Sequence, residues 1–485
     1  NTMKDIIKSV SKLSIPTFLN LLSSVIKNKI IALSIGPAGL GVYSQFLNIL
    51  GLFGSVLPVG SMGLIRYVSS LHNDNRHGEM LYLMRYFLVR NVVLSLMVSG
   101  ILVLFSTEIS NLLFSTSEYS ELIRIFSTVV TITLFVNMLD IYLKSIRQIN
   151  KYVLFLTLNS VISIAVTVPL ILSYQIYGAV LAIVISALLC LLTGVFILKK
   201  YKLISLPLIY EKIEKDVIKN VLGLGLAVLA SMIIQNITML AIKSIIAGNF
   251  SLNAVGIFQC VFSISSSYFG VFFVVIGAYS IPKISAMKKD IEIVAEMNST
   301  FRFLLMIYMP VLVVIFALRS LIIPILYSND FILAKDLLIY QLPAEFLRAF
   351  SWAAGVWLIP KLYFAKWLFF EIIFYSLFLG LFVLMVNFTK VGIYAASISY
   401  LSSYIVFLII NFVYSYKIVK FSFETKVKRQ VVLTLLFLTI AISVSYYSEF
   451  YGYFAAIVSI FFWSILSFKI EDFRQLITLI RRKSL

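Results

Sequence analysis

Long apolar runs alternate with short polar segments along the whole chain. A helix of about 20 apolar residues spans the ~30 Å hydrocarbon core of a membrane, so each run of that length is a candidate transmembrane helix. About 14 runs qualify, and we predict spans at 13–34, 42–64, 86–105, 122–142, 152–172, 178–198, 220–242, 255–278, 301–323, 337–359, 367–387, 391–413, 430–447 and 452–468. The pattern predicts an all-α integral membrane protein with about 14 transmembrane helices.

Composition supports this fold class and narrows the function. Of 485 residues, 61% are hydrophobic and 13% charged, whereas about 25% of a soluble domain is charged. The predicted spans leave loops that average about 14 residues, so no sizeable domain fits outside the membrane. The chain has no P-loop, G-x-S-x-G, H-E-x-x-H or C-x-x-C motif. His72 and His77 share a polar loop, without acidic or Cys companions at metal-ligand spacing, and are interpreted as solvated loop residues. We therefore expect neither an enzyme nor a metal or organic cofactor.

The basic residues indicate how the chain crosses the membrane. The formal net charge is +19, which in a soluble protein would suggest nucleic acid. Here 32 of the 40 lysines and arginines fall in the N-terminal tail, every second loop and the C-terminal tail. Because basic loops stay on the cytoplasmic side, we predict both termini in the cytoplasm. The first apolar run continues into 27–29, so we expect a retained span rather than a cleaved signal peptide.

An internal repeat is visible at an offset of 215 residues. Residues 41–43 (GVY) align with 256–258 (GIF), and Asn20 aligns with Gln235. Six spans return the chain to the side on which it started, so two such units would have the same orientation, related by an axis along the membrane normal. We predict an N-terminal lobe at 1–200, a C-terminal lobe at 201–420 with an amphipathic linker at 201–219, and two further helices with a cytoplasmic tail at 421–485.

Basic residues inside spans are the candidate substrate ligands, because a charge held in the membrane usually faces a wet cavity or a partner. Lys27 and Lys29 lie in the first span, Lys243 occupies the matching place in the seventh, and Arg348 lies in the tenth. The alternative for the lysines is that they reach the outer membrane interface. Together with two repeat-related amides, the predicted substrate-binding residues are Asn20, Lys27, Lys29, Gln235, Lys243 and Arg348.

Three acidic residues are candidates for ion coupling. Glu345 precedes Arg348 by three residues and either forms a structural ion pair or titrates in a cavity. Glu371 either anchors a span at the interface or binds a coupling ion, H⁺ or Na⁺. Asp140 is expected to pair with Lys144 at an interface. Because basic residues are at least as frequent as acidic ones within the spans, we favour an anionic substrate.

The segment at 35–46 (IGPAGLGVYSQF), followed by Gly60 and residues 66–68 (RYV), resembles the first hairpin of Wzx-type polysaccharide flippases. These belong to the multidrug/oligosaccharidyl-lipid/polysaccharide exporter superfamily. The resemblance implies two six-helix lobes around a central cavity plus two C-terminal helices. In related lipid II flippases a basic residue of the first span binds diphosphate, and Lys27 falls at that place. Asn28 stands where those flippases carry an acid.

The resemblance also implies the transport reaction. The substrate would be an undecaprenyl-diphosphate-linked oligosaccharide, such as an O-antigen repeat unit, moved between leaflets of the bacterial inner membrane by alternating access. Other expected partners are membrane lipid and the polymerase and chain-length proteins of the same pathway. A cation-coupled multidrug antiporter of the same superfamily is the main alternative. A membrane-bound polymerase or ligase and a purely structural protein are further alternatives.

Overall fold

The computed structural model describes residues 2–56, 61–146, 148–201, 217–218, 221 and 226–467, and all of the regular secondary structure in these ranges is helical. In the first half of the chain the helices are α1 (Thr2–Ser34), α2 (Gly36–Val56), α3 (Ser61–Asn73), α4 (His77–Leu104), α5 (Ser106–Phe114), α6 (Ser120–Ser145) and α7 (Ile149–Lys200). The predicted linker at 201–219 lies outside the described residues, except for positions 201, 217 and 218.

The second half continues with α8 (Leu226–Asn249) and α9 (Leu252–Phe262), which a π-helical turn at Ser263–Ser267 joins to α10 (Tyr268–Ala286). The remaining helices are α11 (Asp290–Ala317), α12 (Arg319–Leu326), α13 (Ala334–Gly355), α14 (Phe364–Phe388), α15 (Tyr394–Val419), α16 (Thr425–Tyr447) and α17 (Glu449–Ser467). A 3₁₀ turn at Asn329–Phe331 lies between α12 and α13.

Among the described residues, nine helices are long and apolar enough to cross a membrane. One of them, α7, covers two predicted spans. Its backbone breaks at Gln175, where φ is 51° and ψ is −125°, and Gly178 packs so closely on the Leu170 carbonyl that a Cβ would lie 1.9 Å from the oxygen. The all-α, multi-pass membrane architecture predicted from the apolar runs is thereby confirmed.

The helices group into two compact units, residues 1–256 and 257–485. The first unit includes α8, which packs against α2 and α5. These units follow from packing, whereas the predicted lobes follow from the sequence repeat. The lobe boundaries at residues 200 and 420 therefore stay predictions.

The repeat is visible in the helix ends and in one helix crossing. α1 ends at Ser34 and α8 at Asn249, which are 215 positions apart. A Cβ on Gly41 would lie 2.6 Å from the Leu252 carbonyl oxygen, and one on Gly256 would lie 1.8 Å from the Pro37 carbonyl oxygen. Since position 252 is also the repeat equivalent of 37, the two glycines make equivalent backbone contacts.

The glycine-rich segment after α1 contains both a chain reversal and the start of α2. The chain reverses at Ile35 and Gly36, and Gly36 adopts a φ of +75° that glycine accommodates without strain. The remaining glycines of the segment are already part of α2. The segment therefore serves close helix packing as well as chain reversal.

Asn298 of α11 and Arg319 of α12 make polar contacts near the two ends of α16. Asn298 of α11 is buried, donates to the Ser422 carbonyl at 3.0 Å and accepts from the Glu424 backbone N–H at 3.0 Å. Arg319 donates to the Ser445 carbonyl at 3.2 Å. Arg319 is 5% exposed, so it is a buried structural residue.

The Gly41 contact predicts a stability difference between two glycines of α2. In Gly41→Ala the new methyl group meets backbone atoms of Leu252 and Gly256, and we expect a loss of about 1–3 kcal/mol. At Gly54 no atom lies within 4 Å of the added Cβ, so Gly54→Ala should be neutral or stabilise by about 0.5–1 kcal/mol. Thermal unfolding in detergent measures both; equal melting temperatures would contradict the close crossing.

The Asn298 contact predicts that this side chain secures the start of α16. Asn298→Ala removes two hydrogen bonds to backbone groups of Ser422 and Glu424, with an expected loss of about 1–3 kcal/mol. Asn249 is the matched control, because it is exposed and bonds only to its own helix at Ile245. Limited proteolysis of the segment at 420–425 should become faster in Asn298→Ala and remain unchanged in Asn249→Ala. Equal cleavage rates would show that Asn298 does not hold this segment.

Candidate functional sites

The first candidate site is in the first unit, where α1 packs along α7. Lys27 is half-buried and its Nζ donates to Ser163 Oγ at 2.9 Å. The Cys190 thiol, on the other half of α7, is within electrostatic range of the ammonium. The break at Gln175 is what allows both halves of α7 to approach α1, so the fold of α7 positions the groups around Lys27.

The chemistry at Lys27 is that of an incompletely satisfied cation. An ammonium group has three N–H donors, and the hydroxyl of Ser163 is its hydrogen-bond acceptor within the described part of the chain. No carboxylate of those residues lies within ion-pair distance. The site can therefore accept an anion.

The second candidate site is in the second unit and centres on Glu345 and Arg348 of α13. Glu345 is completely buried and its Oε2 lies 3.0 Å from Arg348 Nη1. Tyr400 of α15 donates its hydroxyl hydrogen to the other oxygen, Oε1, at 2.9 Å. The ion pair predicted from the three-residue spacing is thus present, and Tyr400 completes the hydrogen bonding of the carboxylate.

The π-helical turn supplies the remaining partner of Arg348. Arg348 Nη1 donates to Ser266 Oγ at 2.6 Å and to the Ser266 carbonyl at 3.2 Å. A π-helical turn inside a longer helix is frequently a functional feature. Here the turn directs both oxygens of Ser266 at one guanidinium nitrogen.

The other edge of Arg348 is available to a ligand. Among the described residues, every hydrogen bond of Arg348 uses Nη1, and 24% of the side chain is exposed. The guanidinium lies 5.0 Å from the centre of the Phe273 ring, and Trp352 lies 5.3 Å from the same ring. The arrangement places unused N–H donors beside aromatic faces, which suits a ligand with anionic or polar groups on an otherwise flat surface.

Lys243 occupies a different environment from the other predicted ligands. It is 1% exposed, between α8 and α2, and its Nζ donates to Ser44 Oγ at 3.1 Å. Its predicted role in binding substrate stays a prediction.

Three further predicted substrate ligands lie apart from these contacts. Asn20 on α1 and Gln235 on α8 are exposed, and Lys29 is half-buried. The recorded bond at Asn20 joins its backbone carbonyl to Ser24 Oγ at 3.0 Å. The structure therefore does not bring these side chains together with Arg348 within one unit.

The remaining candidate acids lie on α6 and α14. Asp140 Oδ2 is 2.5 Å from Lys144 Nζ, which is the pair expected from their spacing. Lys144 also lies 5.3 Å from the ring centre of Tyr152. Glu371 is half-buried on α14, within electrostatic range of Tyr404. Ion coupling at any of these acids stays a prediction.

Sequence reasoning missed the neutral partners of the charged residues. Ser163, Ser266 and Tyr400 were not singled out, because serine and tyrosine are common in membrane helices. A usable signal existed for Ser266: residues 263–267 (SISSS) form a polar run inside a predicted span. No comparable signal marks Ser163 or Tyr400.

Two lipid III flippases are similar in sequence to this chain. The chain is 24% identical over 358 residues to a lipid III flippase of Escherichia coli, and the match covers 71% of this chain and 83% of that protein. A lipid III flippase of Shigella flexneri matches with the same identity and coverage.

Solved structures show where the fold belongs. An inward-facing multidrug resistance MATE family transporter of the MOP superfamily matches with a TM-score of 0.68 and 18% identity, over 85% of this chain and 98% of that one. A MOP superfamily transporter from Pyrococcus furiosus, described as having a binding pocket of reverse polarity, matches with a TM-score of 0.61 and 16% identity, over 86% and 96%. The chain therefore has the fold of MOP superfamily transporters.

The family membership follows from a match that covers more than half of the chain. Residues 72–335, more than half of the chain, match the family described as "Polysaccharide biosynthesis protein". This chain is therefore a member of the polysaccharide biosynthesis protein family.

Proposed function

We propose that this protein is a flippase that moves a lipid-linked oligosaccharide from one membrane leaflet to the other. The observation that carries the proposal is that Lys27, a cation on a helix predicted to span the membrane, is hydrogen-bonded to a neutral hydroxyl. The similarity to lipid III flippases and the membership of a polysaccharide biosynthesis family support the same substrate class.

The finer proposal concerns the substrate and the direction. The substrate is an undecaprenyl-diphosphate-linked repeat unit of O-antigen or a similar surface polysaccharide, moved from the cytoplasmic to the periplasmic leaflet of the inner membrane. Lys27 neutralises the diphosphate, since phosphate oxygens accept strong hydrogen bonds from an ammonium group. The polymerase and chain-length proteins of the pathway are the proposed recipients of the product.

Arg348 contributes a second contact to the proposed reaction. Its Nη1 is held by Glu345 and Ser266, so the guanidinium is fixed in position before the substrate arrives. The N–H groups on its other edge then bind sugar hydroxyl or carboxylate groups, while Phe273 and Trp352 offer aromatic faces to the sugar rings.

The pairing of the acids favours this proposal over a drug antiporter. A cavity for cationic drugs needs carboxylates that are free to attract them. In the described ranges Glu345 is paired with Arg348, Asp140 with Lys144 and Glu296 with Lys283. In the same ranges Lys27 has no carboxylate partner. The acids are therefore paired while this cation is not, which favours an anionic substrate.

The membrane potential is a sufficient driving force for the proposed direction. With the cell interior negative, an anion that moves outward gains about 2.3 kcal/mol per charge for each 100 mV. Alternating access then needs only that binding of the diphosphate lowers the barrier between the two orientations.

Replacing Lys27 should abolish transport while the protein stays in the membrane. Lys27→Gln removes one charge-assisted contact of about 1.5–3 kcal/mol, which corresponds to about a 10- to 150-fold loss of substrate affinity. Surface polysaccharide is measured in a strain that carries only the variant gene, with protein level checked by immunoblot. Lys390→Gln, at an exposed lysine, is the control, and normal polysaccharide in Lys27→Gln would exclude Lys27 from the site.

Variants of the Glu345–Arg348 pair should separate its contribution to stability from its contribution to transport. Arg348→Met leaves a buried carboxylate without its cation, with an expected loss of about 3–5 kcal/mol. The double variant Glu345→Gln/Arg348→Met removes both charges and should recover most of that stability without recovering transport. Thermal unfolding and the polysaccharide assay are measured in parallel. Transport by the double variant at the normal rate would limit the pair to a structural role.

A further inference from the structure

Lys243 has a deeply buried amino group with a neutral partner. It lies on α8 where this helix packs against α2, and it is 1% exposed. Its Nζ donates to Ser44 Oγ at 3.1 Å, and the same hydroxyl donates to the Gly41 carbonyl at 2.8 Å. The Ser44 hydroxyl is thus held as an acceptor for Lys243 whether or not the amine is charged.

No acid compensates a charge at this position. The helices packed against α8 are α2 and α5, and their titratable side chains are Tyr43 and Glu108. Tyr43 is buried beside Ser44, and Glu108 is exposed in the first turn of α5. Neither α8 itself nor the rest of the described chain places a carboxylate within ion-pair distance of Lys243. Burial of a charged ammonium here would leave it poorly stabilised.

The same helix face is polar and closely packed along much of α2. Gln45 Nε2 donates to Ser244 Oγ at 3.4 Å, while Gln45 Oε1 is buried and has no partner in the described chain. Closer to the end of α2, a Cβ on Gly51 would lie 2.6 Å from Asn236 Oδ1. Water that entered between α2 and α8 would satisfy the Gln45 oxygen and hydrate Lys243.

We propose that Lys243 is a proton-binding latch: α8 stays packed on α2 while the amine is neutral, and separates from α2 when the amine takes up a proton. Lysine suits this role, because its protonation state responds strongly to burial, whereas arginine remains charged. The proposal rests on the proposed transport function and names the proton as its regulating or coupling ion.

The proposed latch lies close to the two glycine contacts that the internal repeat makes equivalent. The Gly41–Leu252 and Gly256–Pro37 contacts join α2 to α9, the helix that directly follows α8. In this proposal α8 and α9 move together, so separation of α8 from α2 also breaks these two equivalent backbone contacts. Protonation of Lys243 would thus change an extended contact between helices and not only its hydrogen bond to Ser44.

The test measures the separation of α2 and α8 directly by double electron–electron resonance. Spin labels are placed at Leu47→Cys on α2 and Ile237→Cys on α8, two exposed positions, after Cys190→Ser and Cys260→Ser. The protein is reconstituted in liposomes without substrate and measured from alkaline to acidic pH. We expect acidification to raise the population with the longer distance, by up to about tenfold per pH unit for one proton.

Three variants decide the outcome. Lys243→Met should keep the short distance at every pH, and Lys243→Arg should favour the long distance at every pH. Lys390→Met changes an exposed lysine outside this face. In this control the distance between α2 and α8 should change with pH as it does in the parent protein. A pH-dependent change in Lys243→Met as large as that of the parent protein would overturn the proposal, as would a short distance at every pH in Lys243→Arg. Because no substrate is present, either result would leave the proposed flippase function intact.

Discussion

The central constraint on this structure is the free-energy cost of placing a positive charge on a helix inside a membrane. Such a charge needs an ionic partner, water or loss of its proton. Arg348 is paired with a buried glutamate, Lys27 is half-buried beside a hydroxyl, and Lys243 is enclosed beside another hydroxyl. The three environments therefore differ: a guanidinium held by an ion pair, a lysine without a carboxylate partner among the described residues, and a buried lysine whose partner is a neutral hydroxyl.

The scaffold that holds these groups is set by backbone contacts. The break at Gln175 turns one long apolar segment into two helices that both reach α1. The glycines at 41 and 256 allow helices to approach until backbone atoms touch. The π-helical turn at Ser263–Ser267 presents two oxygens to one nitrogen of Arg348. In each case a local departure from a regular helix positions a polar group.

Much of the fold could be predicted from the sequence, because a span must be long and apolar wherever it meets lipid. The ends of α1 and α8 follow the predicted offset of 215. The Glu345–Arg348 and Asp140–Lys144 pairs also follow from spacing, since residues three or four apart share a helix face. Arg319 is buried against the end of α16, where it donates to the Ser445 carbonyl. Hydropathy alone does not reveal such tertiary partners, and Ser163, Ser44 and Tyr400 were missed for the same reason.

The central claim is that Lys27 binds the diphosphate of a lipid-linked sugar. The most direct measurement is the binding of undecaprenyl diphosphate and of uncharged undecaprenol to the purified protein by native mass spectrometry. The account predicts that the protein prefers the diphosphate, that added salt weakens this preference, and that Lys27→Gln removes most of it. Equal binding of the two lipids by the unmodified protein, or an unchanged preference in Lys27→Gln, would contradict it.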